Sequence, residues 1–139
     1  MNTNLTDRDT ELIEAARAII RKRYAYGRHH IGCAIRTKEG KVYTGVHVEA
    51  NVGRVTVCAE AMTLGHALSE GETEFESIAA VRHPGPDEED RSIKVVAPCG
   101  MCRELLADYC PDIEVIVPVG GGLVKRAVTD LLPLKYTRE

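Results

Sequence analysis

A chain of 139 residues is the size of one domain and is long enough to enclose a core without disulfides. Its composition, 44% hydrophobic and 28% charged, is that of a globular protein, and no apolar run approaches the ~20 residues that a membrane helix needs, which excludes a membrane span. A net charge of -3 leaves no electrostatic footprint for a polyanion, which points away from nucleic acid and towards a small-molecule substrate.

The first residues, Met1 to Asp7, have neither a basic start nor an apolar stretch, so a cytoplasmic address is expected. In that reducing setting five cysteines, an odd number, predict metal binding, catalysis or burial rather than a disulfide framework. Leu12, Ile13, Ala16, Ile19, Ile20 and Tyr24 recur at helical spacing, and Thr6 with Asp9 makes a capping-box pattern ahead of them. After Gly27 the period changes. Ile31, Cys33 and Ile35 alternate, Glu39-Gly40 turns the chain, and 41–49 reads as the second strand of a hairpin. The two-residue period of that strand puts Tyr43, Gly45, His47 and Glu49 on one face.

A helix is expected from about Cys58 to Gly71, followed by a strand over 78–81. Next come a strand at 93–97, a helix over 99–109 started by Pro98, and a strand at 113–117. Gly120-Gly121-Gly122 reads as a turn, because it lacks the lysine of a phosphate loop, and 128–132 as a short terminal helix ended by Pro133. The charged run Asp87-Glu88-Glu89-Asp90-Arg91, in a Pro/Gly-rich context, reads as a solvated loop. Strands alternating with helices predict one α/β layered domain over 1–139 with a partly parallel sheet.

Cys58-Ala59-Glu60 and Pro98-Cys99-Gly100-Met101-Cys102 both fall where a strand or loop gives way to a helix. Helix N-termini carry partial positive charge and free N–H groups, which favour the thiolate, the form that binds zinc. Cys99 and Cys102, three apart, share a helix face. Three cysteines leave a tetrahedral zinc one open position, as in catalytic sites. Zinc lowers the pKa of bound water from 15.7 to roughly 7. Glu60, two residues beyond a ligand, is placed to take the water's proton and return it to a departing amine. Cys33 reads as core and Cys110, beside Pro111, as half-buried; His66, about two helical turns beyond Cys58, is too far to ligate.

At these residues the chain resembles the cytidine deaminase superfamily, from about Leu12 through Tyr136: Ile31-Gly32-Cys33-Ala34-Ile35, Thr44-Gly45-Val46-His47-Val48-Glu49, Thr56-Val57-Cys58-Ala59-Glu60 and Pro98-Cys99-Gly100-Met101-Cys102-Arg103. The resemblance implies a three-layer α/β/α fold on a mixed five-stranded sheet. It also implies one Zn2+ per subunit held by Cys58, Cys99 and Cys102, catalysis by Glu60, and a homotetramer whose sites borrow residues across subunits. Substrate contacts are implied for His29, His47, Glu49, Ala59 and Tyr136, and support of the metal site for Arg54 and Arg103.

This chain departs from the family pattern at specific places. The ribose-binding Asn-Val-Glu is His47-Val48-Glu49 here, the base-holding Phe corresponds to His29, and the Arg after the catalytic Glu is Ala61. Three thiolates outweigh zinc's two charges, so another donor is expected to damp them; Arg54, Arg103 and backbone N–H groups are the candidates. The tail ends in Tyr136 where cytidine deaminases often have Phe, a feature shared with blasticidin S deaminases, a sister group.

Taken singly, each position has a plainer explanation. The cysteines are small buried side chains, Glu49 and His47 a solvated strand end, His29-His30 a polar turn, and Arg103 a structural ion-pair residue. The expected reaction is hydrolytic deamination of a cytosine-type nucleoside. The alternatives are an aminopyrimidine antibiotic such as blasticidin S, another aminated heterocycle, or a zinc-stabilised binding module without catalysis.

Overall fold

The computed structural model describes residues 4–138. Residues 1–3, part of the stretch read above as lacking a secretory signal, lie outside the described residues. Among the described residues no helix is long and apolar enough to cross a membrane.

Helix α1 spans Asp7–Arg23 and opens on the expected capping box: Thr6 accepts from the Asp9 N–H, and the Asp9 carboxylate accepts from the Thr6 N–H. Strands β1 (Ile31–Thr37) and β2 (Val42–Val46) follow as an antiparallel hairpin. Helix α2 covers Ala59–Ser69, β3 Phe75–Arg82, β4 Lys94–Val96, α3 Gly100–Tyr109, β5 Glu114–Val119 and β6 Gly122–Ala127, and a 3-10 turn closes the series at Val128–Leu131. The expected helix over 128–132 is therefore this single tighter turn.

The sheet is mixed, as expected, but has six strands rather than five, ordered β2-β1-β3-β5-β6 with β4 also on β3. One edge of β3 is shared: β5 runs parallel to it at Ser77 and Ile78, and β4 runs antiparallel to it at Ala80 to Arg82. The strand missed in the sequence is β6. Gly120 and Gly121 both take positive φ, +56° and +83°, the two-residue turn that matches the twist of a hairpin, so the chain doubles straight back onto β5. Apolar alternation in β6 is broken by Lys125, whose side chain is only 16% exposed and reaches the buried Asp9 carboxylate at 2.9 Å. A lysine on a covered sheet face hides a strand from pattern reading.

Burial divides by face into the three layers expected. On one face Leu12, Ile13, Ala16 and Ile20 of α1 pack on Ala34, Ala79, Val81 and Ile116. On the other, Ala59, Leu64 and Ala67 of α2 and Leu106 of α3 pack on Cys33, Ile35, Ile78, Ala80 and Val115. Two glycines set how closely the helices approach. A Cβ on Gly32 would stand 2.6 Å from the Ala16 carbonyl oxygen, and one on Gly45 would stand 2.6 Å from Thr63 Oγ1. The second approach fixes the first turns of α2, and with them Cys58 and Glu60, against the hairpin. Cys33, opposite Gly45, lies in this core as expected, and Cys110 is buried, 7% exposed, rather than half-buried.

Asp9 both caps α1 and neutralises Lys125, and these bonds hold its carboxyl below the ordinary value of 3.8 although burial pulls it upward. A depressed native pKa means its contribution is complete above 3.8 and is lost as pH falls through the lower native value. Asp9→Ala is expected to cost about 2–3 kcal/mol at neutral pH. In urea titrations the gap between wild type and variant should narrow in acid; a gap independent of pH would contradict the pairing.

Candidate active site

Two helices begin at the same place. Cys58 is the N-cap of α2 and Cys99 the N-cap of α3, both with extended backbone, so each sulfur lies beside the free N–H groups of a first turn. Cys102, one turn into α3, faces the same point, and the three Sγ atoms lie within 4.8 Å of one another. The Cys58 and Cys99 sulfurs are 3.5 Å apart. Among the described residues all five cysteines are free thiols.

Glu60 projects from the first turn of α2 into the same space, where the Cys102 thiol donates to its Oε1 at 3.8 Å. Glu60 is only 6% exposed. Burial raises its pKa, against the stabilising pull of its own backbone N–H and of Cys102. The sulfurs show what such crowding does. Cys102 is pushed far up by burial and then by the charges of Glu60, Cys58 and Cys99. Cys58 is raised by burial and by Cys99. Cys99 is raised by burial, but N–H groups of Cys102 and Met101 and the neighbouring thiols outweigh that and lower it. A divalent cation relieves the mutual repulsion of these groups, and soft thiolates suit zinc. The donor set therefore fits a zinc ion with three protein ligands.

The segment carrying the other expected residues is tied to this one. Val48 and Val57 form an isolated antiparallel bridge, and the Ala50 N–H donates to Thr56 Oγ1, so 49–57 closes as a loop that returns at Val57, the residue before Cys58, to Val48. His47 and Glu49 converge as expected, His47 Nε2 to Glu49 Oε1 being 3.7 Å. His29 joins them through an Nδ1 hydrogen bond to the His47 carbonyl, 2.8 Å. Ala59 is buried at the start of α2.

His30 completes the group, with Nδ1 3.5 Å from Glu49 Oε1. Sequence reasoning passed over it as part of a polar turn, and no local signal marks it, because its approach to Glu49 comes from the pairing of β1 with β2.

Three expected residues stand apart. Arg103 donates to the carbonyls of Pro98 and Leu131, which braces the loop ahead of Cys99 against the last turn of the chain. Arg54 is exposed in a short 3-10 turn at Gly53–Val55. Tyr136 is exposed and lines a cavity of about 690 Å³ on the outer side of α3, beside Lys135 and its partners Glu104 and Asp108. In place of an arginine, the donors the structure sets beside a sulfur are the N–H groups of Met101 and Cys102 at Cys99.

The family model for the cytidine and deoxycytidylate deaminase zinc-binding region matches residues 6–117. A blasticidin-S deaminase of Bacillus cereus is 54% identical over 135 residues, covering 97% of this chain and 96% of that protein. A cytidine deaminase of Halalkalibacterium halodurans is 33% identical over 135 residues, covering 96% of both. Among solved structures, the cytidine deaminase of Burkholderia pseudomallei superposes with a TM-score of 0.73 at 35% identity, covering 91% of this chain and 98% of that one. A family model that spans both cysteine motifs, and relatives alike along their whole length, make this chain a member of the cytidine and deoxycytidylate deaminase family, the zinc-dependent hydrolytic deaminases.

Proposed function

We propose that Cys58, Cys99 and Cys102 hold the zinc, that Glu60 is the proton carrier, and that the substrate is a cytosine ring, deaminated at its C4 amine, bearing a sugar-like appendage. The observation that carries this reading is the buried Glu60 beside the sulfur triad. Zinc bound there would supply the Lewis acidity that makes water a nucleophile at neutral pH. Glu60, kept dry and with a raised pKa, is a base strong enough to accept a proton from that water and an acid strong enough to release it to the departing nitrogen. Ammonia leaves and a carbonyl remains.

Glu49 and His47 face the appendage, His29 and Ala59 border the ring, and Arg103 supports the metal site by fixing the Pro98 carbonyl. Arg54 and Tyr136 lie outside the site of the single chain. Exposed Val48, Val52, Val55 and Val57 precede Cys58, and exposed Met62 and Met101 lie in the first turns of α2 and α3. Covering those side chains in a homotetramer would wall the site, and it is in such an assembly that Arg54 and Tyr136 reach substrate. Five free thiols suit a cytoplasmic setting, and the acidic balance suits a small molecule rather than nucleic acid.

Among such substrates blasticidin S is favoured over plain cytidine. His47 replaces the amide that the family uses towards ribose, and the 54% identity is to a blasticidin-S deaminase.

Two experiments test this. Glu60→Gln should lower ammonia release at least about a hundredfold while zinc content stays that of wild type; retained zinc with full activity would remove Glu60 from the mechanism. On the wild-type enzyme, kcat/KM should be highest for blasticidin S and lower for cytidine and deoxycytidine. The opposite order would assign the chain to nucleoside deamination, and silence across the panel would favour a zinc-stabilised module without catalysis.

A further inference from the structure

Apart from the sulfur triad, His30, His47 and Glu49 are the other group of metal-type ligand atoms gathered within 4.8 Å of one another among the described residues. Spacing alone fits an ion, since ligands about 2.1 Å from a tetrahedral metal stand roughly 3.4 Å apart, and the two contacts to Glu49 Oε1 are 3.5 and 3.7 Å. The far nitrogens decide against it. An imidazole bound to a metal carries its proton on the other nitrogen and donates it to an acceptor. Here the other nitrogens face donors. The Gly27 N–H donates to His30 Nε2 at 2.8 Å, and the His30 N–H donates to His47 Nδ1 at 3.3 Å.

A backbone amide keeps its proton, so each of these nitrogens must present a lone pair. The proton of each neutral ring is then left on the nitrogen that faces Glu49. Binding a metal, or adding a second proton to either ring, would break one of the two backbone hydrogen bonds. Burial also holds the His47 imidazole below its ordinary value against the pull of Glu49. The Glu49 side chain remains 40% exposed, so the carboxylate is reachable from solvent.

We propose that His30 is a positioning residue: with His47 it turns a neutral imidazole N–H towards the Glu49 carboxylate, leaving a subsite of net negative charge that takes a hydroxyl or a cationic nitrogen, not a metal ion and not an anion. This assignment rests on the deaminase reading for the identity of the bound group. The tautomers do not depend on it.

Proton–nitrogen correlation spectra of the imidazole rings at neutral pH test the tautomers directly, with or without activity. The expected result is His30 protonated on Nδ1 and His47 on Nε2; either ring in the other tautomer overturns the proposal. A second zinc equivalent bound by wild type and lost in His30→Phe overturns it as well.

Kinetics test the positioning role on whichever of cytidine and blasticidin S the wild type turns over. His30→Phe should raise KM about tenfold, the loss expected for one hydrogen bond to a charged group, with kcat changed less than about threefold. His30→Asn, which keeps an N–H near the place of Nδ1, should recover most of the loss. The inhibition constant of 1-methylcytosine, which lacks the appendage, should not move. An unchanged KM, or an equal weakening of 1-methylcytosine, would make His30 merely structural. Absence of ammonia from wild type would instead count against the deaminase reading and leave the spectra to decide this one.

Discussion

Three sulfurs and a carboxylate drawn into one partly dry space repel one another, and the rest of this structure is organised to make them converge. Two helix N-termini bring fixed positive potential to the spot: Cys58 caps α2 and Cys99 caps α3, while Cys102 and Glu60 follow within a turn. Against those dipoles burial still pushes Glu60 up, and burial followed by the charges of Glu60, Cys58 and Cys99 pushes Cys102 up. A divalent cation is the missing charge. The sheet beneath acts as a jig. Gly45 lets α2 settle against β2, β3 carries β5 alongside, and Arg103 pins the loop that delivers Cys99.

The substrate side follows from the same hairpin. Its second strand ends at Val46, and the bridge between Val48 and Val57 turns the chain back towards Cys58, so one short loop links the polar cluster at His47 and Glu49 to the metal-type cluster. In the function proposed above, chemistry and recognition rest on adjacent segments, an arrangement in which a substitution such as His47 retunes what is held without disturbing what is cleaved.

How much of this was legible in the sequence depended on whether the signal was local. The capping box at Thr6 and Asp9, the two cysteine motifs at helix starts and the Gly40 turn are encoded within a few residues and can be read directly. Strand β6 was hidden because Lys125 occupies a covered position that only Asp9, far away in the chain, makes tolerable. His30 was hidden because its partner, Glu49, comes from the segment that follows the second strand of the hairpin. Arg103 was singled out as support for the metal site, but spacing cannot reveal that its hydrogen bonds go to the Pro98 and Leu131 carbonyls. Tyr136 and Arg54 carry a resemblance, but in the single chain both are exposed and stand apart from the sulfur triad.

The central claim is an open three-sulfur zinc site, and X-ray absorption at the zinc edge of the purified protein tests it most directly. Three sulfur scatterers and one oxygen or nitrogen, without the outer-shell signature of an imidazole ring, are predicted. Four sulfurs, or three with a ring nitrogen closing the fourth position, would show a sealed structural zinc and contradict the account.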